Sequence, residues 1–255
     1  MIESAPKNQE RIAKRIAHLG YCSRRDAEKL ILQKKVKVND TLIETPAFLV
    51  SKKDQISIDD IPLKAESKTQ LYLYYKPNGL VCSSKDEKGR ATIYDYLPKN
   101  LPRLVYVGRL DLTSEGLLLL TNNGELANLL SSPSLGLKRT YKVRAYGKIE
   151  QKQLDDLALG ISIEGIHYQP IIANILRRNK DNVWIEFVLK EGKNREIRII
   201  CEHLGLQVNR LIRTSFGTYS IDGMNEGDIK EMGLSSLEKM FPKKALESIG
   251  IRTTK

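Results

Sequence analysis

The order of strand-like and helix-like runs in the larger part of the chain constrains its fold most. Apolar and aromatic runs typical of strands are LYLYYK from Leu71, LVYVG from Leu104, TYKVRAYG from Thr140 and NVWIEFVL from Asn182. Runs with helical spacing lie near 125–130, 151–159 and 195–204. Because strands and helices do not alternate regularly, the pattern argues against a doubly wound parallel sheet. We therefore predict a mixed α+β fold.

The beginning of the chain has the pattern of a small separate module. Apolar residues recur at helical spacing over 11–19, and Ser23 is placed to cap a second helix. Alternating apolar residues over 36–42 then predict a short β-ribbon. The polar stretch DDIPLKAESKTQ that follows Ile58 suits a linker. We expect a module at 9–58, a linker at 59–70, a larger domain at 71–240 and a polar tail at 241–255 that frays or forms a short helix.

The charge of the chain favours a polyanionic partner. Lys and Arg number 42 against 31 Asp and Glu, which gives a net charge of +11. The basic residues cluster: 7–37 holds ten basic and three acidic side chains, 138–148 holds five and none, and 190–213 holds six and three. Each cluster is a candidate phosphate-binding patch.

Composition argues against a membrane protein and against a metal site. No apolar run approaches the roughly 18 residues that span a bilayer, and the polar N-terminus does not resemble a secretory signal. A cytoplasmic protein with no membrane partner is expected. Cys22, Cys82 and Cys201 are far apart, and only three histidines accompany them, so no tetrahedral ligand set forms. We predict no metal.

One string carries the strongest candidate for chemistry. GRLDLTSEGLLLLTNNGEL occupies residues 108–126, with polar residues between two apolar runs. Asp111 and Thr113 are predicted to lie in a loop between strands, where a rigid frame would present the carboxylate. An aspartate in such a loop is usually a turn former, and the spacing alone favours that role. Asp111 and Glu115 also make a carboxylate pair of the kind that glycosidases use. We expect Glu115, which precedes a glycine, to be a solvent-facing turn residue.

The first module is similar to the S4 RNA-binding domain. The resemblance rests on SRRDAE at 23–28 and VKVND at 36–40, and it departs at Lys34 and Asp40, where such domains usually carry glycine. It implies RNA binding. The candidate RNA contacts in this module are Arg11, Lys14, Arg15, Ser23, Arg24, Arg25, Lys35, Lys37 and Asn39.

The rest of the chain resembles the RsuA/RluB-type pseudouridine synthases. The motifs that carry the resemblance are the string at 108–126, KPNGL at 76–80, KRTYKV at 138–143, EGKNREIR at 191–198 and LIRTSFG at 211–217. The NREIR form, rather than HQxK, is more similar to the RluB branch, which modifies large-subunit ribosomal RNA. The resemblance implies isomerisation of uridine to pseudouridine in ribosomal RNA by a monomer, with no cofactor. A small-subunit target and an inactive RNA-binding assembly factor are the alternatives.

The resemblance also implies a fold and a set of site residues. The fold is an S4-like α/β module followed by a catalytic domain with a mixed, mainly antiparallel sheet flanked by helices in two ferredoxin-like halves. Asp111 matches the catalytic aspartate, Tyr141 would stack on the uracil, and Arg198 would pair with Asp111 and keep it ionised. Without the resemblance, the local alternation favours Tyr141 as a half-buried strand residue. The other pocket candidates are Arg109, Leu110, Thr113, Gly116, Ile197 and Leu211, and further RNA contacts are Arg139, Lys142 and Arg195.

Overall fold

The computed structural model describes residues 9–251. Its helices are α1 Ile12–His18, α2 Arg24–Leu32, α3 Gly124–Ser131, α4 Gln151–Asp155, α5 Glu196–His203 and α6 Lys243–Ser248. Its strands are β1 Gln9–Arg11, β2 Val36–Val38, β3 Thr41–Leu42, β4 Leu49–Ser51, β5 Ile56–Ile58, β6 Ile61–Pro62, β7 Leu71–Lys76, β8 Val105–Val107, β9 Glu115–Thr121, β10 Arg139–Tyr146, β11 Ile161–Ile163, β12 Ile166–Tyr168, β13 Ile172–Asn179, β14 Asn182–Leu189, β15 Gln207–Phe216, β16 Tyr219–Ser220 and β17 Ile229–Met232. The last four residues of the predicted tail lie outside the described residues.

The chain forms two compact units. The first holds the described residues through Thr69 together with Asn100–Leu104 and Asn122–Gly124, and the second holds the remainder. No helix within residues 9–251 is long and apolar enough to cross a membrane.

The first unit packs α1 and α2 with a small antiparallel sheet in the order β3-β2-β5-β6. Ile12, Ile16, Ala27 and Ile31 of the two helices are buried in one core with the inward residues of the strands. Ser23 caps α2, because its Oγ accepts a hydrogen bond from the Asp26 amide at 3.1 Å. The cap and the two helices are as predicted.

Non-glycine residues make the tight turns of the first unit. Lys34, Asn39 and Asp40 have φ of 60°, 47° and 64°, in the left-handed region that favours glycine. The side chain of Asn39 donates to Asp54 Oδ1 at 2.9 Å and accepts from the amide of Gln55 at 3.0 Å. These bonds fix the turn between β2 and β3, so the ribbon forms without glycine at positions 34 and 40.

The first unit continues past Ile58. Strand β6, Ile61–Pro62, pairs with β5, and Leu63 packs against the core of the unit. A strand therefore occupies part of the segment 59–70 that the sequence predicts to be a linker.

The second unit is built on a nine-stranded sheet. Its main order is β13-β14-β10-β15-β9-β7-β17, with β16 beside β15 and β8 beside β9. The pairings are antiparallel except for the parallel contact of β15 with β9. The predicted α+β class with a mixed, mainly antiparallel sheet is confirmed. The arrangement as two ferredoxin-like halves stays a prediction.

Two central strands and the C-terminal helix share a hydrophobic core. Strands β7 and β9 are buried at every position. Leu117 and Leu119 of β9 pack in one cluster with α3 and with Leu246 and Ile251 near the end of the chain. The segment predicted to be a polar tail therefore contains a short helix, α6, whose apolar residues are part of the core.

The parallel contact of β9 with β15 depends on a glycine. Gly116 has φ of +99°, and a Cβ built on it would lie 2.2 Å from the carbonyl oxygen of Arg213. No other residue fits so close an approach of two backbones. This contact places the loop that precedes β9 next to β15.

Candidate active site

A cleft in the second unit brings most of the predicted site residues together. It lies where the loop between β8 and β9 meets β10, β15 and the beginning of α5. The predicted residues that line it are Arg109, Leu110, Asp111, Arg139, Tyr141, Arg195, Ile197 and Leu211. These residues come from four separate motifs of the sequence, so the fold joins them.

Asp111 lies in the predicted loop and is about one third exposed. Its backbone carbonyl accepts a hydrogen bond from the amide of Ser114 at 3.0 Å, so the residue also belongs to a turn. Its carboxylate lies 4.0 Å from the guanidinium of Arg195. Both interpretations of Asp111, turn residue and cleft carboxylate, therefore hold at once.

The pairing predicted between Asp111 and Arg198 stays a prediction, because the charge of Asp111 acts on the Arg198 guanidinium, although the ion pair that the structure shows for Asp111 is with Arg195. Arg198 donates from Nη2 to the carbonyl of Thr113 at 2.9 Å and makes no ion pair within the described part of the chain. Its Nε is buried without a hydrogen-bond partner. Burial lowers the pKa of Arg198, and the positive charge of Arg195 lowers it further. Arg198 thus holds the backbone of the Asp111 loop, and Arg195 faces the carboxylate.

Arg195 is held in an unusual backbone conformation. Its φ is 52°, in the left-handed region, and it is the N-cap residue of α5. Lys193, two residues earlier, donates from its amide to the buried carboxylate of Glu196 at 2.9 Å. This local bonding fixes the turn that directs Arg195 towards the cleft.

Tyr141 lies on the cleft side of β10. It is opposite Phe187 of β14 and Arg213 of β15, and it is 9% exposed. Ile197 and Leu211 line the same cleft. The ring is therefore both a largely buried strand residue, as the alternative expected, and part of the cleft wall.

Three predicted residues do not line the cleft. Thr113 and Gly116 are absent from the described residues that form its wall, and their contributions are the carbonyl that binds Arg198 and the close backbone contact with β15. Lys142 follows Tyr141 on β10 and is exposed. Because successive strand residues point to opposite faces, its side chain lies on the other side of the sheet.

Two buried cations near the cleft had no predicted role. Lys76 is fully buried, and its Nζ donates to the carbonyls of Pro77, Leu112 and Ser114 at 3.0, 3.4 and 2.7 Å. Burial lowers the pKa of Lys76. The ammonium group thus binds both ends of the loop that follows Asp111. Its signal in the sequence is the KPNGL motif, where lysine closes an apolar strand.

Arg213 is the second of these cations, and it lines the cleft. It is 2% exposed, and its Nε donates to the carbonyl of Leu117 at 2.7 Å. Its Nη2 is buried without a hydrogen-bond partner. The signal for it in the sequence is a charged residue inside the apolar strand-like run LIRTSFG.

A buried carboxyl group lies beside these cations. Glu196 lines the cleft and is 3% exposed, and one of its oxygens has no donor. Burial, followed by the negative charge of Glu191, raises the pKa of Glu196 to about 7. The carboxyl group can therefore hold a proton near neutral pH.

The expectation that Glu115 faces solvent is wrong. Glu115 is the first residue of β9 and is 5% exposed. Both of its oxygens accept hydrogen bonds from Arg210, at 2.7 to 3.1 Å. It is not among the described residues that line the cleft, so it does not face Asp111 as the second carboxylate of a glycosidase would.

No three His, Cys, Asp or Glu side chains among residues 9–251 converge so as to hold a metal ion.

The larger part of the chain matches a known family. Residues 70–203, more than half of the chain, match the model of the RNA pseudouridylate synthase family. The chain belongs to this family. Residues 10–56 match the S4 domain. The chain is therefore an RNA pseudouridine synthase, an isomerase, with an S4 RNA-binding domain.

Relatives of this pseudouridine synthase match it over most of its length. An uncharacterized RNA pseudouridine synthase of Rickettsia felis is 48% identical over 230 residues, which are 90% of this chain and all of that one. The ribosomal large subunit pseudouridine synthase B of Bacillus subtilis is 36% identical over 226 residues, 88% of this chain and 92% of that one. A crystal structure of a pseudouridylate synthase superposes with a TM-score of 0.65 and 28% identity, and covers 91% of this chain and 99% of its own.

The residues of the S4 domain that are predicted to contact RNA differ in whether their side chains are already bonded to other groups of the protein. Arg15 is 7% exposed and pairs with Glu66 at 2.8 Å, so its charge is not open to phosphate. Lys35 pairs with Asp59 at 3.4 Å and Lys37 with Asp60 at 2.5 Å. Lys14 pairs with Glu10 at 3.5 Å. Ser23 and Asn39 are occupied by the cap and the turn.

The remaining predicted contacts have other surroundings. Arg24 and Arg25, in the first turn of α2, are exposed, and Arg11 is also exposed. Arg139, in the second unit, is 7% exposed and donates to the carbonyl of Lys190 at 2.8 Å. Arg139 is therefore a buried cation of the cleft, and the exposed contacts of the S4 domain are concentrated at the start of α2.

Proposed function

We propose that this synthase converts a specific uridine of large-subunit ribosomal RNA to pseudouridine, with Asp111 as the catalytic carboxylate and no cofactor. The observation that carries the proposal is the position of Asp111: a partly exposed carboxylate in a cleft whose other charged wall residues include Arg109, Arg139, Arg195 and Arg213. The name of the Bacillus subtilis relative supports the large-subunit target. A small-subunit target is the alternative.

The reaction itself requires no external reagent. The bond between C1′ of the ribose and N1 of uracil breaks, the base turns, and C1′ bonds to C5. The proton on C5 leaves to a base, and N1 gains a proton, so atoms and electrons balance. Asp111 is the group placed to react, at the ribose carbon or at the ring. Tyr141 offers an aromatic wall for the detached base, and its hydroxyl is the proposed acceptor of the C5 proton.

The cations of the cleft have distinct proposed roles. The guanidinium of Arg195, 4.0 Å from the carboxylate of Asp111, is placed to hold that carboxylate in position. Arg109, next to the aspartate and on the wall of the cleft, is placed to help displace the target nucleotide from its stack. Arg198 acts as a positioning residue through its bond to Thr113. We further propose that the enzyme works as a monomer in the cytoplasm, where a ribosomal substrate would be available.

The test is release of tritium from ribosomal RNA labelled at C5 of uridine. We expect release by the wild type and a loss of at least about 10³-fold in Asp111→Asn, which keeps the shape and removes the charge. Glu115→Gln is the matched control, because it alters a carboxylate outside the cleft. Separate small- and large-subunit RNA substrates distinguish the two targets. No release by the wild type on either RNA, with binding intact, would favour an inactive RNA-binding assembly factor.

A further inference from the structure

The sheet of the second unit has a face that lies opposite the cleft and is basic and aromatic. Along β10, the side chain of Tyr141 is directed to the cleft, whereas Lys142, Arg144 and Tyr146 are exposed. Since alternate residues of a strand point to opposite faces, these three lie on the far side of the sheet from Asp111. With Arg177 of β13 and Trp184 of β14 they form what we call the back face.

Strand register places the basic and aromatic residues of the back face in one row. Arg144 is opposite Trp184 of β14 on one side and Arg210 of β15 on the other. Trp184 is in turn opposite Arg177 of β13. The guanidinium of Arg177 lies 5.4 Å from the centroid of the indole ring. Three arginines and a tryptophan thus cross four neighbouring strands.

The basic side chains of the back face and of Arg210 differ in whether they form ion pairs. Arg210 is paired with Glu115 at 2.7 Å and with Glu226 at 3.0 Å. Lys142, Arg144 and Arg177, by contrast, form no ion pair with any residue in the described range 9–251, although Glu186 is opposite Lys142 in the register. The guanidinium groups of Arg144 and Arg177 therefore remain without an ion pair among the described residues, whereas Glu186 lies close to Lys142 on the same face.

The aromatic groups of the back face are accessible. Tyr146 is 52% exposed, and Trp184 is partly exposed between Arg144 and Arg177. Exposed aromatic rings flanked by unpaired cations are the arrangement on which proteins bind single-stranded nucleic acid: the rings stack on bases and the cations contact phosphates. An acidic peptide would use the cations but leave the rings without a flat partner.

We propose that the back face binds a second, single-stranded segment of the RNA substrate, outside the cleft. Arg144, Arg177 and Lys142 contact phosphates, and Trp184 and Tyr146 stack on bases. This inference rests on the family's action on RNA and not on the identity of the catalytic residue or of the ribosomal subunit. Charge complementarity and the exposed flat aromatic rings favour single-stranded RNA as the partner of the back face.

The first experiment uses the single tryptophan of the chain as a reporter. The full-length protein is titrated with a single-stranded oligouridylate of 12 nucleotides that carries a label for anisotropy. We expect saturable quenching of Trp184 fluorescence that follows the anisotropy curve, in the wild type and equally in Asp111→Asn. Binding by anisotropy without any change in Trp184 fluorescence would place the RNA elsewhere and would overturn the proposal.

The second experiment compares two triple variants by salt dependence. Lys142→Ala/Arg144→Ala/Arg177→Ala removes the back-face cations, and Lys152→Ala/Lys239→Ala/Lys243→Ala removes three exposed lysines outside it. With about 0.7 per phosphate contact for single strands, the first variant should lose about 2 in the slope of log K against log salt and bind the oligouridylate on the order of tenfold to 100-fold more weakly at 0.1 M salt. Equal slopes and affinities in the two variants would overturn the proposal, whatever the outcome for Asp111.

Discussion

The basic side chains of the S4 domain and those around the cleft have different bonding partners. In the S4 domain, Arg15, Lys35 and Lys37 pair with carboxylates of the same unit. Around the cleft, Lys76 and Arg213 bond to backbone carbonyls instead. A carboxylate cancels the charge of its partner, whereas a carbonyl satisfies the hydrogen bonds and leaves the charge in place.

A count of basic residues therefore overestimates the charge that the segment 7–37 offers to RNA. The segment 7–37 holds ten basic residues, yet several of them form ion pairs with carboxylates of the same unit. The cleft holds fewer, but its buried cations keep their field directed at Asp111 and at any phosphate that enters. Low local polarity strengthens that field.

The largest effect is expected from replacing Lys76, whose ammonium group donates hydrogen bonds to three backbone carbonyls. Lys76→Met leaves those buried carbonyls without a donor and should lower the free energy of unfolding by about 3 to 5 kcal/mol. Urea denaturation measures it, with Lys88→Met, at an exposed position, as the control. A loss below about 1 kcal/mol would mean that water or a backbone shift replaces the ammonium group.

The next prediction separates the effect of the charge of Arg195 on activity from the effect of its backbone conformation on stability. Arg195→Gly relieves the left-handed conformation, which should raise the free energy of unfolding by up to about 1 kcal/mol. It also removes the cation next to Asp111 and should lower kcat about 100-fold. Arg195→Lys keeps a charge and should recover part of the activity but none of the stability. Unchanged kcat in the glycine variant would show that Arg195 is not needed for the action of Asp111.

A smaller effect concerns pH and Glu196. Burial raises the folded-state pKa of this carboxyl group to about 7, above its unfolded value, so the stability it contributes is present below that unfolded value and is lost as pH rises through 7. Between pH 5 and pH 8 the wild type should lose about 2 kcal/mol more unfolding free energy than Glu196→Gln, which stays neutral.

Burial sets the sign of this difference, and three neighbours affect its size. The amide of Lys193 and the charge of Arg139 favour the ionised form of Glu196, and the carboxylate of Glu191 opposes it. Glu202→Gln, at an exposed position of α5, is the control and should follow the wild type. Parallel stability profiles for the wild type and Glu196→Gln would show that Glu196 is ionised throughout the range.

The smallest effect is expected within the S4 domain. Arg24 and Arg25 are exposed at the start of α2, whereas Lys35 and Lys37 are paired with Asp59 and Asp60. Arg24→Ala/Arg25→Ala should reduce the slope of log K against log salt for ribosomal RNA by about 1.5, and Lys35→Ala/Lys37→Ala by less than half of that. Filter binding over a salt series measures both. Equal reductions would mean that the surface ion pairs open when RNA binds, as weak exposed pairs can.

The sequence predicted the elements of this molecule better than the environment of its charged residues. Helices near 125–130 and 195–204 and the four strand-like runs follow from local periodicity, and all are present. The burial of Glu115 could not be predicted in this way, because Arg210 and the parallel neighbour β15 approach it from a distant part of the chain. The ion pair of Asp111 with Arg195 could not be predicted in this way either, because it depends on the left-handed turn that Arg195 makes at the start of α5.

The parallel contact between β9 and β15 also determines how early during synthesis of the chain the complete cleft can form. It joins Glu115 to Ile212 and Gly116 to Arg213, almost one hundred positions apart. Contacts of such long range carry a large loop-closure entropy and form late in folding. During synthesis, local hairpins such as β13 with β14 can assemble early. A growing chain that ends before β15 lacks Leu211 and Arg213 of the cleft wall, so the complete cleft forms only after most of the chain has been synthesised.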